Sequence, residues 1–161
     1  MTVDITRGGP DDAYRIAQVH VQAWQETYAH LIPPEALSRL DIERRAARWA
    51  EIIDQGTTEV WVAKTRTDTA IGWATTSRNT DPERARPLEL EGLYVLAARH
   101  GTGVGQQLLD AALEGEPAFL WMAADNPRAD AFYRRNGFSP DGASETLDLL
   151  GTPVPIIRLT R

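Results

Sequence analysis

Leu88-Glu89-Leu90-Glu91-Gly92-Leu93-Tyr94-Val95, followed after a short turn by His100-Gly101-Thr102-Gly103-Val104-Gly105, is the stretch on which the fold of this chain turns. Leu88 to Val95 reads as a strand and Val104 to Leu113 as a helix closed by Gly115. Ala118 to Ala124 is a continuous apolar run, expected to be a strand buried on both faces. The three elements make a strand-helix-strand unit. Its glycine-rich connection, three glycines in five residues, lets the main chain approach a ligand closely, and the unpaired N–H groups of the helix start attract an anion. A Walker loop is excluded, because Gly105 is followed by Gln106 and Gln107 in place of Lys and a hydroxyl residue. The dinucleotide fingerprint GxGxxG is not spelled either: the spacing is GxGxG and five residues separate Val95 from Gly101. Asp125 does fall near the position of a ribose-binding acid, which keeps that alternative open.

Outward from this unit the periodicities fill in the rest. Thr2 to Arg7 alternates as an edge strand, and Pro10 opens a helix whose Ala13, Ile16, Ala17, His20, Ala23 and Trp24 share one face. The end of that helix presents Trp24 and Tyr28. Ile32-Pro33-Pro34 breaks the pattern, and a second helix runs from an Asp41 cap to Gly56. Val60 to Lys64 and Ala70 to Thr76 read as a hairpin, and Arg78 to Pro87 as a loop. On the far side, Asn126 caps a helix with Pro127 in its first turn and Gly137 at its end; Ala143 to Leu149 and Val154 to Thr160 are closing strands.

Composition bounds the function. The chain has 161 residues, 42% of them apolar, enough for one core and too few for two domains, so residues 1–161 are expected to be a single domain. A formal charge of −6 has the wrong sign for tracking a nucleic-acid backbone. The absence of Cys removes disulfides, Cys-based zinc sites and any thiolate nucleophile, and no group of His, Asp and Glu has the spacing of a metal site. The start lacks a leader pattern and the longest apolar run is too short to span a bilayer, so the chain reads as soluble and cytoplasmic, without membrane partners.

The Leu88–Val95 strand, the His100-x-x-Gly103-x-Gly105 loop, and Asn126-Pro127 with Ala129, Tyr133 and Gly137-Phe138 resemble the two core motifs of the GNAT superfamily of acyl-CoA-dependent N-acyltransferases. The order of elements fits that family along the whole chain. The resemblance implies an α/β (α+β) fold: one mixed, mostly antiparallel sheet of about seven strands flanked by helices, with a central, splayed parallel strand pair. It also implies that Gly101, Thr102, Gly103, Val104 and Gly105 hold the pyrophosphate of acetyl-CoA, with the acyl-pantetheine arm in the split between the strands. His100 stands where the family commonly has Gln or Arg. Asn126 is assigned both a helix cap and a pantetheine or phosphate contact. By the same resemblance the N–H of Val95 stabilises the oxyanion and Tyr133 protonates the departing thiolate.

An ammonium acceptor must lose a proton before it can attack. Glu89 and Glu91, two apart on a strand, share a face and are candidates to receive it. Glu89 stands where many family members place a base, whereas Glu91-Gly92 resembles the Glu-Gly of aminoglycoside N-acetyltransferases, which makes Glu91 a substrate-binding candidate as well. Trp24 and Tyr28 are the expected acceptor-binding aromatics, and His20 is read as a core residue. With no Cys and no GxSxG, transfer is expected to be direct, in a ternary complex. The expected activity is N-acetylation of a small primary amine: an aminoglycoside, a polyamine or an amino-acid derivative. A non-catalytic acyl-CoA sensor is the alternative from another class, a dinucleotide-binding protein is a third, and a homodimer is among the assemblies open to the chain.

Overall fold

The computed structural model describes residues 2–161. Its seven strands form one sheet in the order β1-β2-β3-β4-β5-β7-β6. The strands are β1 (Val3–Arg7), β2 (Thr58–Thr65), β3 (Ala70–Arg78), β4 (Leu88–Val95), β5 (Phe119–Ala123), β6 (Ser139–Leu149) and β7 (Thr152–Thr160). All neighbours pair antiparallel except β4 and β5, which run parallel. The expected fold class is the one observed.

Five α-helices cover the two faces: α1 (Ala13–Thr27), α2 (Pro34–Ser38), α3 (Ile42–Gln55), α4 (Val104–Leu113) and α5 (Pro127–Arg135). Their ends follow local chemistry. The Asp41 carboxylate accepts from the Arg44 N–H at 2.7 Å to start α3, and Gly56, at φ 68°, ends it in the left-handed region. Asn126 caps α5 by accepting from the Ala129 N–H at 3.2 Å, with Pro127 at the first helical position. The short helix α2 was not anticipated: Pro33-Pro34 reads as a breaker, yet Pro34 occupies the first turn, where its missing N–H costs nothing. Strand β6 begins four residues before the expected Ala143, because an irregularity between Pro140 and Ser144 lets it continue through Gly142 at φ 92°.

On one face of the sheet, Val104, Leu108, Leu109, Ala112 and Leu113 of α4 bury against Leu88, Leu90 and Leu120, joined by Tyr133 and Phe138 from the α5 region. On the other, Ile16, Ala17 and Val19 of α1 and Trp49 of α3 pack on Val60, Val62 and Trp73. The hairpin tryptophans divide between the faces: Trp73 enters the α1/α3 core, and Trp61 lies against the α4 core.

Two irregularities of β4 open the sheet. Thr76 lies opposite Leu90 and Thr75 opposite Gly92, so Glu91 is an extra, unpaired residue, a bulge that sharpens the local twist. On the other edge β4 pairs with β5 only at Glu89↔Phe119 and Leu90↔Leu120, and beyond these the strands part.

Candidate active site

Where the strands part, a cavity of about 570 Å³ lies beside the C-terminal half of β4. Its floor is Leu93, Tyr94 and Val95, and its walls are the glycine loop and α5. The Leu96 N–H donates to the Ile71 carbonyl of β3 at 3.0 Å. Peptide groups alternate along a strand, so the N–H of Val95 is directed away from β3 into the opening, and the N–H of Leu93 shares that direction. The Val95 carbonyl is taken by His100, whose Nε2–H donates to it at 2.9 Å. The His100 imidazole is thus a strut that pins the glycine loop to the end of β4, and the residue also borders the cavity.

The glycine loop is shaped by backbone necessity. Gly101 and Gly103 have φ of 75° and 88°, a region in which an L side chain is strained. Gly103 is the N-cap of α4 and no side chain caps that helix, so its first N–H groups face the cavity uncapped. Thr102 and Val104, expected to bind through their main-chain amides, have side chains committed elsewhere. The Thr102 hydroxyl donates to the Arg99 carbonyl at 2.7 Å, and Val104 is buried in the α4 core, leaving only its N–H to a ligand. Gly101, Gly103, Gly105 and Asn126 all line the cavity.

Sequence reading missed the cationic rim. Arg99, Arg128 and Arg135 border the cavity, and Arg128, Phe132 and Arg135 fall at i, i+4 and i+7 on α5, a helical spacing that reports a shared face. An uncapped helix start, positive-φ glycines and a rim of guanidinium groups suit a polyanion, and strand edges with unpaired amides suit an amide-bearing arm. These features fit acetyl-CoA.

Tyr133 is 7% exposed and lines the cavity, held edge-to-face by Phe132 and Phe138 at 5.2 and 5.7 Å. Burial pushes its phenol far above the ordinary value of 10.0, so the hydroxyl stays protonated and is available as a donor at neutral pH. Tyr28 and Tyr94 are raised for the same reason, and their hydroxyls share a hydrogen bond of 2.6 Å. Of this pair only Tyr94 lines the cavity; Tyr28 stands behind it, Trp24 packs against both rings, and it is Thr27 of α1 that reaches the opening.

The two carboxylates lie on the α1/α3 face of the sheet, as their spacing predicts, but neither borders the cavity. Glu89 is paired with Arg84, which also donates to Ser77. Glu91, on the bulge, is exposed and accepts from the Thr58 hydroxyl at 3.4 Å. His20 is buried in an aromatic box, its Nδ1 accepting from Trp49 Nε1 at 3.2 Å while its Nε2 has no partner.

Comparison with known proteins supplies the family. The uncharacterized N-acetyltransferase YuaI of Bacillus subtilis is 28% identical over 141 residues, 84% of this chain and 78% of its own. The peptidyl-lysine N-acetyltransferase YjaB of Escherichia coli is 30% identical over 101 residues, 62% of each chain. The PaiA N-acetyltransferase of Thermoplasma acidophilum, solved with coenzyme A, shares the fold with a TM-score of 0.70 at 21% identity over 98% of both chains. Residues 56–140, just over half of the sequence and the whole of the splayed unit, match the acetyltransferase (GNAT) domain, and the chain therefore belongs to the GNAT family of acetyltransferases.

Proposed function

We propose that the protein transfers the acetyl group of acetyl-CoA directly to a primary amine of a small molecule within a ternary complex. The observation that carries this reading is the junction of two features in one cavity: a parted strand edge with the Val95 N–H directed inward, and a buried, protonated Tyr133 facing the same space. Acetyl-CoA supplies an activated thioester. The amides of Gly103 to Gly105 and the arginines at the rim would hold its phosphates, and Asn126 would border the pantetheine arm. The Val95 N–H is the donor for charge developing on the carbonyl oxygen, and the Tyr133 hydroxyl delivers a proton to the thiolate.

The proton lost by the amine leaves through water toward Glu89, which Arg84 holds in place on the α1/α3 face. Glu91 is too exposed to serve as more than a rim contact for a cationic acceptor. The aromatic wall of Tyr94, backed by Tyr28 and Trp24, is the side from which the acceptor arrives. A second reading, acetylation of a lysine side chain in a peptide, is favoured by the name of the YjaB relatives. Retention of Tyr133 favours turnover over acyl-CoA sensing.

The test is a thiol-release assay with acetyl-CoA against a panel of amines that includes aminoglycosides, polyamines, amino-acid derivatives and a lysine peptide. Amine-dependent release of CoA is expected. CoA binding without release for any amine would support the sensor instead, and release only with the peptide would move the acceptor to the second reading.

A further inference from the structure

The last turn of α1 and the residues just after it touch both splayed strands at equivalent places. The Glu26 carboxylate accepts from the Ala97 N–H at 2.7 Å, two residues beyond the end of β4 and in the turn that leads into the glycine loop. Its other oxygen accepts from Gln22 at 2.8 Å, which fixes the side chain along the helix. The His30 Nε2–H donates to the Asp125 carbonyl at 2.9 Å, two residues beyond the end of β5 and next to the Asn126 cap. Between these anchors Thr27 lines the cavity and Tyr28 bonds to Tyr94. Residues separated by 71 and 95 positions in sequence are thus joined across one opening by five residues of chain.

We propose that residues 26–30 are a strap that holds the two strand ends at the separation acyl-CoA requires, with Glu26 and His30 as positioning residues for a ligand neither of them touches. The reasoning is geometric. Past Leu90 no strand pairing joins β4 to β5, so the width of the gap is not fixed by the sheet. The strap bonds to main-chain atoms at both rims, and one of those rims carries the glycine loop. The helix that presents Thr27 to the cavity is also the helix that anchors the loop.

The inference rests on the acyl-CoA reading of the cavity, and the experiment separates the two. CoA binding is measured by calorimetry on the full chain and on Glu26→Ala, Glu26→Gln and His30→Ala, together with hydrogen exchange of the Ala97 amide and urea stability. Loss of a hydrogen bond to a charged group at an exposed site is expected to weaken CoA binding about tenfold in Glu26→Ala. Gln keeps an acceptor oxygen, so Glu26→Gln is expected to stay within about threefold of wild type and to retain Ala97 protection. For His30→Ala, whose Nε2 also lies 3.8 Å from the Asp125 carboxylate, the expected loss is about threefold. Wild-type CoA affinity in Glu26→Ala, or equal losses in the Ala and Gln variants, would overturn the strap while leaving the cavity's assignment intact. A wild-type chain that binds neither CoA nor acetyl-CoA would overturn the assignment and the strap together.

Discussion

Acidification should destabilise this protein through one buried imidazole. His20 is 8% exposed, with its ring 5.1 Å from Trp24, 5.3 Å from Trp73 and 5.8 Å from Trp49. Burial, assisted by the positive charge of Arg45, lowers its pKa from 6.5 to about 3. The folded chain therefore keeps the ring neutral across a range in which the unfolded chain protonates it. A folded pKa below the unfolded one means that the stability is fully present above 6.5 and is lost as the pH falls toward the folded value. Integrating between these two values gives a loss of about 2 kcal/mol at pH 5 relative to pH 8, with a slope approaching about 1.4 kcal/mol per pH unit. The depressed carboxylates Asp12, Glu116 and Asp141 lose their contributions mainly below this window, in the ordinary carboxylate range. The measurement is urea unfolding at pH 8, 7, 6 and 5 for wild type and His20→Gln, which keeps an acceptor for the Trp49 N–H. Every other group is common to both proteins, so the difference in slope isolates His20. Flat wild-type stability from pH 7 to pH 5, or the same slope in the variant, would refute the buried-neutral account.

Three further outcomes are expected at the site. Gly103→Asp forces an L residue into φ 88° and puts a negative charge at the start of α4, so it should abolish the rise in Tm that CoA gives the wild type; retained CoA affinity would remove the loop from the binding site. Tyr133→Phe should lower kcat by about 10²-fold or more with the Kd for acetyl-CoA unchanged, and a wild-type kcat would assign the proton to water. Glu89→Gln should lower kcat/KM about tenfold at neutral pH, with the defect shrinking as rising pH deprotonates the amine in solution. A loss independent of pH would mean that Glu89 acts only by pairing with Arg84.

Elements decided by local rules were legible in the sequence. Strand β4 has the expected bounds, and α3 begins and ends at the Asp41 and Gly56 signals, because caps and alternation are written within a few residues. What escaped depends on partners distant in sequence. The bulge at Glu91 is defined only by its register against Thr75 and Thr76, so the residue looks like an ordinary strand position until β3 is laid beside it. Glu89 looks like an unclaimed carboxylate until the Arg78–Pro87 loop folds Arg84 onto it. For Tyr28, helical spacing puts it toward β4, but only tertiary packing sets Tyr94 between it and the cavity. The bond of His100 to the Val95 carbonyl was not legible, because a loop imidazole beside a phosphate-type turn carries no mark of whether it faces a ligand or its own chain. The α5 arginines were readable from their spacing, since Arg128 and Arg135 lie two turns apart.

The opening between β4 and β5 also divides the molecule by what mutation can alter. On the function proposed above, most of the recognising atoms on the donor side are main-chain: the Val95 N–H and the amides at the start of α4 are present whatever side chains occupy those positions, provided that the positive-φ glycines remain. On the proposed acceptor side the surface is made of exchangeable parts, the aromatic rings of Trp24, Tyr28 and Tyr94. A sequence can therefore drift to 28% identity with a relative such as YuaI and still carry an intact acyl-donor slot, while a handful of substitutions on α1 and β4 would be enough to redirect which amine is admitted. The acyl donor is specified by geometry that tolerates drift, and the acceptor by side chains that record it.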